Sequence, residues 1–280
     1  MKKRIAQTYI PLLVFVKGLS LLLYPTVSDR WNAVHQSRAI VSYAHKVDNM
    51  DTEQNRALWQ DAADFNTALL YRGNQFRMEN ADLARYETLL NIEGNGIMGY
   101  IEIPLINCRL PIYHGTEENT LQVGVGHIEW SSLPVGGEST HAVLSGHRGL
   151  PSARLFTDLD KIKEGDHFLL RVLSETLTYE VDQIRIVEPE DISDLQILEG
   201  LDLCTLVTCT PYGINTHRLL IRGHRVENEV VSIPKFVTAD AARLSSKLVA
   251  LTIGVINVTL ILILMTVTNP FRRKHKRRAI

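Results

Sequence analysis

The chain has 280 residues, 45% hydrophobic and 22% charged, a balance that supports a buried core and excludes a disordered polymer. Ten prolines and seventeen glycines follow no Gly-x-y period, no internal repeat is found, and three cysteines are too few for a disulfide scaffold. The net charge of −1 conceals a division: four basic residues in 1–27 and seven in 247–280 leave 19 basic against all 31 acidic residues between them, the reverse of what a nucleic-acid binder needs on its folded body.

The N-terminal stretch, 1–27, opens with MKKR and continues as an apolar run from Tyr9 to Val27, interrupted by Pro11 and Lys17. That order is shared by secretory signals and uncleaved anchors. No small-x-small cleavage site follows in LLLYPTVSDRW, so retention as a membrane anchor is expected.

Residues 28–92 are expected to be helical. Ser28 is placed to cap a segment bearing Trp31, Val34, Ile40, Val41, Ala44 and Val47. Asp51 with Gln54 three residues later resembles a capping box for a second helix carrying Leu58, Ala62, Phe65 and Leu69, which Gly73 would end. A third short helix would hold Leu83, Tyr86 and Leu90.

After the turn signal Gly94-Asn95-Gly96 the pattern changes to short β-branched runs, and 93–230 reads as a β domain. Strands are expected over 97–103, 140–145, 167–173, 177–187, 203–209 and 218–226, with a helix over 152–162 on the pattern Ala153, Leu155, Phe156, Leu159. Strands at this spacing suggest a closed barrel or a sandwich. A linker, 231–247, follows, and then LVALTIGVINVTLILILMTV, twenty uncharged residues from Leu248. At 1.5 Å per residue that length spans a hydrocarbon core of about 30 Å, so 248–268 is expected to cross a lipid bilayer. The basic tail, 269–280, would stay in the cytoplasm. With the N-terminal anchor retained, both termini are cytoplasmic and the body faces outside the cell.

Two stretches concentrate the chemistry. In HAVLSGHRGLP (141–151) an apolar strand runs into a loop carrying His147; in TLVTCTPYGINTHRLLIRGHR (205–225) a strand ends on Cys209, a turn-rich loop follows, and a second strand begins near Arg218. A thiol at a strand end beside such a loop can meet a ligand. Cys108 and Cys204 read as core residues, with a disulfide between them the alternative outside a cell. His127, His141, His217 and His224 also lie near the motifs, and Arg222 and Arg225 are rivals to Arg218. The spacing C-x4-C-x7-H-x6-H over Cys204, Cys209, His217 and His224 misses the usual zinc patterns, so no metal site is expected.

TLVTC with an arginine nine residues on, His147 at its strand exit, the stretches GYIEIP, LPIYHGT and SSLPVGG, and both apolar ends together resemble the class C, pilus-building sortases. The resemblance implies a closed eight-stranded β-barrel and a cysteine transpeptidase with no cofactor. It makes Cys209 the nucleophile, His147 the general acid/base and Arg218 the transition-state stabiliser. It also implies an LPxTG-like sorting signal cut between Thr and Gly, with pilin subunits bearing C-terminal sorting signals as partners, joined through a lysine. Class C sortases commonly carry an Asp-Pro-aromatic lid before the barrel; no proline occurs here between Pro25 and Pro104, so that motif is absent and the site is expected to be open or covered by another device. A housekeeping sortase that attaches surface proteins to peptidoglycan, a cysteine hydrolase and a non-enzymatic anchored binding domain are the alternatives.

Overall fold

A computed structural model describes residues 2–228. The linker, apolar segment and basic tail expected beyond 230 lie outside the described residues.

The first helix, α1 (Lys2–Asp48), runs unbroken through Ser28, which therefore caps nothing. A cap needs an extended residue where the helix starts; here Leu19 to Tyr24 propagate the helix, and Pro25 is taken up inside it. Among the described residues no helix is long and apolar enough to cross a membrane, so the anchor expected over 1–27 gains no support here. The C-terminal half of α1 is tied to the body of the molecule: Ile40, Tyr43 and Val47 are buried, and the Tyr43 hydroxyl donates to Met98 O at 2.8 Å while accepting from Leu173 N at 2.8 Å. Burial without a charged partner pushes that phenol well above its ordinary pKa.

Helix α2 (Thr52–Leu70) starts as expected, with the Asp51 side chain accepting from Gln54 N at 2.7 Å. Its apolar face, Ala62, Phe65 and Leu69, is fully buried. Covering a side chain such as Phe65 contributes about 1.5–3 kcal/mol. Asn66, on the same face, exchanges two hydrogen bonds with the Leu133 backbone. The short α3 (Asn80–Thr88) buries Tyr86 and stops before Leu90, whose φ of 60° is incompatible with a right-handed helix.

Eight strands follow: β1 (Ile97–Ile103), β2 (Cys108–His114), β3 (Val125–His127), β4 (Thr140–Ser145), β5 (His167–Val172), β6 (Glu175–Val187), β7 (Asp202–Thr210) and β8 (His217–Val226). They close into a barrel in the order β1-β2-β3-β4-β7-β8-β6-β5, with β5 pairing back onto β1. Most pairs are antiparallel; β2–β3 and β4–β7 are parallel. Two strands, β2 and β3, were not expected from sequence. Pro111 weakens the strand signal of β2, yet it sits one residue before pairing with β3 begins. Gly124 and Gly126 mask β3, where a Cβ on Gly126 would meet Gly115 O at 2.3 Å. The helix expected over 152–162 is instead a run of turns ending in a 3-10 turn at Leu159–Lys161. Leu155 has φ 39°, which ends any helix there, although Ala153, Leu155, Phe156 and Leu159 are buried as their pattern suggested.

Strand β7 is the most enclosed, because both of its faces are covered. Cys204 and Leu206 point into the barrel with Phe168, Leu170 and Ile221. On the outer face Val207 packs with Val143, Leu220 and Leu195, flanked by Ile128, Trp130 and Val187. Beside this outer patch, between the barrel and the β6–β7 connection, β7 ends at Cys209 and Thr210.

Candidate active site

Cys209 is the penultimate residue of β7 and is half-buried, on the same outer face as Val207 two residues before it. Its neighbours follow from strand register. On one side β8 pairs antiparallel, placing Arg218 directly opposite Cys209. On the other side β4 runs parallel, with Ser145 opposite Val207. That pairing continues past the end of β4: Gly146 N donates to Val207 O at 3.0 Å, and Thr208 Oγ1 donates to Gly146 O at 2.7 Å. Two residues beyond Ser145 stands His147, level with Cys209, and Arg148 then donates from Nη1 to Thr210 Oγ1 at 3.2 Å. The barrel thus sets an imidazole on one flank of the thiol and a guanidinium on the other.

Gly146 makes the His147 exit possible. A Cβ there would lie 2.6 Å from the Phe156 ring, so only glycine lets the chain leave β4 along this path. The His147 ring is about one quarter exposed, and its Nε2 lies 3.5 Å from Glu118 Oε2, an ion-pair approach outside hydrogen-bond geometry. Glu118 opens the one-turn helix α4 (Glu118–Leu121), and its other oxygen accepts from Gln122 Nε2 at 3.0 Å. The Gln122 amide and the His147 ring together hold the Glu118 carboxyl below its ordinary pKa. Arg218 donates to Asn215 O and His217 O, carbonyls of the β7–β8 connection, and among the described residues no carboxylate pairs with it. Its charge remains available for an anion formed at Cys209.

The rival residues are occupied elsewhere. His127 and His141 are buried with both ring nitrogens engaged, His127 by Ser132 O and the Tyr86 hydroxyl, His141 by Gln196 O and Thr205 Oγ1. Burial drives their pKa values down to about 3 and about 4, so both are neutral structural rings. His217 faces Glu188, and His224 faces Asp182. Arg222 is forked onto Asp182 and Arg225 lies over the Tyr179 ring. Cys108 and Cys204 are free thiols that burial keeps protonated, pushing Cys108 up to about 12 and Cys204 well above its ordinary value, whereas Cys209 is half-buried at its strand end.

Sequence reasoning missed Glu118 and Arg148. The first lies on a short helix remote in sequence from either motif. The second carries no local sign that its side chain is only 8% exposed, held by Asp160 at 2.5 Å and by Thr210. The connection between α2 and α3 lies along the outer apolar patch. Gln75 bonds Leu195 O and Ile197 N, and Phe76 meets the Trp130 ring edge-on at 5.0 Å.

The sortase-domain family model matches residues 101–226, which span β2 to β8 and all three site residues. Sortase D of Bacillus subtilis is 33% identical over 150 residues, covering 52% of this chain and 73% of that protein. The crystal structure of sortase C1 from Streptococcus agalactiae is 54% identical, with a TM-score of 0.67, and covers 69% of this chain and 100% of that one. The structure of Clostridium perfringens sortase C with the C-terminal cell wall sorting motif is 44% identical, with a TM-score of 0.61, and covers 68% and 99%. Sequence and barrel geometry converge, and the chain belongs to the sortase family of cysteine transpeptidases, with sortase C structures among its structural neighbours.

Proposed function

We propose that this chain is a pilus-building transpeptidase that cleaves an LPxTG-like sorting signal between Thr and Gly and joins the freed carbonyl to a lysine of another pilin subunit. The observation that carries the proposal is the register that flanks Cys209 with Arg218 and the His147 exit. The Cys209 thiolate attacks the threonine carbonyl carbon, forming a C–S bond and an oxyanion that Arg218 neutralises. As the intermediate collapses, the C–N bond to glycine breaks and His147 gives the departing amine its proton. The resulting thioester is attacked by the lysine amine, which passes a proton to His147; the C–S bond breaks, and an isopeptide bond and the thiolate remain. No cofactor is required by these steps.

The buried cluster of Val143, Val207, Leu220 and Leu195 holds β4, β7 and β8 together under the site, so the signal would lie against the half-buried end of β7 at Cys209. The pilin assignment draws on the class C neighbours, one of them solved with a sorting motif. In the same proposal the catalytic domain lies outside the cell on a membrane anchor formed by the apolar ends of the sequence. Incubation of the protein with a sorting-signal peptide should add the acyl mass to Cys209, and incubation with a pilin should give a ladder of covalent oligomers. Reaction with a peptidoglycan-type amine and no ladder would instead assign the housekeeping role.

A further inference from the structure

On the opposite side of β7 from the Cys209 thiol, a cavity of about 680 Å³ opens at the same end of the barrel. Its walls are Ile162, Ile184, Ile186, Leu219 and Ile221, and its rim is closed by the Thr210-Pro211-Tyr212 turn that follows Cys209. Cross-strand pairing of Ile184 with Ile221 and of Ile186 with Leu219 makes the apolar wall continuous. Ile186 and Tyr212 are 63% and 59% exposed, so the apolar surface extends onto the rim.

Arg148 and Asp160 supply the polar part of the lining. The Arg148 side chain is more than nine-tenths buried, and its Nε has no hydrogen-bond partner, which is costly for a desolvated cation. Asp160, bound to Arg148, keeps 48% of its side chain exposed. A half-exposed carboxylate, a buried donor without an acceptor and an apolar wall are complementary to an extended peptide bearing a cationic side chain, a backbone carbonyl and an apolar side chain.

We propose that this cavity seats the acceptor polypeptide: an apolar side chain enters it while a neighbouring lysine reaches the thioester on Cys209. The inference rests on the transpeptidase reading and adds a second binding site to it. The sorting signal is placed on the Cys209 side of the end of β7, so the amine has to arrive from another direction. The cavity borders the residues directly after both Cys209 and His147. Asp160 offers the incoming ammonium a partner; the ammonium releases one proton to solvent, and the amine so formed passes its second to His147 as it attacks the thioester.

The test uses the full chain preloaded with a sorting-signal peptide, the thioester being verified by intact mass. Two blocked tetrapeptides then serve as acceptors, one with Leu and one with Ser before its single Lys, and hydroxylamine serves as an acceptor too small to need the cavity. The Leu peptide should show a KM about 10-fold lower than the Ser peptide. That preference should disappear in Ile186→Glu, an exposed position, with thioester formation and hydroxylamine release unchanged. Equal use of the two peptides, or a preference that survives Ile186→Glu, would overturn the acceptor site. Failure to form any thioester would instead overturn the transpeptidase reading. Binding of the same peptides to Cys209→Ala, followed by NMR at Ile184 and Ile186, then decides the cavity alone: perturbation by the Leu peptide only supports it, and no perturbation rejects it.

Discussion

The Glu118 carboxylate approaches the His147 ring from a one-turn helix, Oε2 to Nε2, at 3.5 Å. A carboxylate that faces an imidazole can fix the orientation of its ring. Glu118 is well exposed, so its influence is modest, and the expected role is positioning. Glu118→Gln should slow thioester formation about 2- to 10-fold with no change in thermal midpoint, and Glu118→Asp should recover part of the loss. Single-turnover mass spectrometry with a sorting-signal peptide makes the comparison.

The three thiols should separate cleanly in reactivity. At pH 7.5 mild alkylation is expected to modify Cys209 and to spare Cys108 and Cys204, whose thiols burial keeps protonated. Peptide mapping after brief iodoacetamide treatment reads this directly, and labelling of Cys204 in the native protein would contradict the burial seen here. Cys209→Ala should abolish thioester formation while leaving the unfolding midpoint close to wild type. Cys204→Ser, which puts a hydroxyl into the barrel interior, should cost about 1–3 kcal/mol.

Arg218→Lys preserves the positive charge but loses the planar fork of donors. The expected result is a fall in kcat of about 100-fold with a smaller change in KM, because the guanidinium acts mainly on the oxyanion. Steady-state kinetics on a quenched sorting-signal peptide separate the two parameters. Equal activity in the lysine variant would remove Arg218 from the proposed mechanism.

Gly146→Ala tests whether the path out of β4 matters. The added methyl would overlap the Phe156 ring, and the strain should lower stability by about 1–3 kcal/mol. Because the next residue is His147, thioester formation should fall further than stability alone accounts for. Denaturant melts and single-turnover rates on one preparation supply both measurements.

Acid should unfold the domain through His127 and His141. Their folded values, about 3 and about 4, lie below the ordinary 6.5, so the unfolded chain takes up protons first as pH falls. Their contribution is complete above pH 6.5 and drains away toward the folded values. Between pH 6.5 and 5 each ring should withdraw about 2 kcal/mol. Urea titrations at the two pH values report the sum, and a His141→Gln variant should show a smaller pH difference.

Much of this arrangement was legible before any coordinates. Strand β4 ends two residues before His147, β7 ends just past Cys209 and β8 begins just before Arg218, so the three residues stand out at strand ends and the family resemblance could assign their roles. What stayed hidden depends on partners distant in sequence. Pro111 disguised β2 because the residue that begins its pairing with β3 is one position later. Leu155 disguised a turn as a helix, since burial at helical spacing does not require a helix. Ser28 looked like a start because nothing local shows that the preceding turns are already helical. Arg148 and Asp160 meet only across a loop, and Ile184 finds Ile221 only when β6 and β8 pair.

The order in which the chain is made gives the parallel β4–β7 pairing one more consequence. His147 leaves the ribosome well before Cys209, and Arg218 emerges last, in the final strand of the barrel. The β4–β7 contact joins residues far apart in sequence and forms late, whereas Arg218 reaches Cys209 as soon as β8 completes its hairpin with β7. A nascent or truncated polypeptide lacking β8 therefore holds a sulfur with no cation beside it. Without that strand the oxyanion of the proposed reaction would meet no guanidinium, so a polypeptide truncated before β8 is expected to be inert toward a sorting-signal peptide.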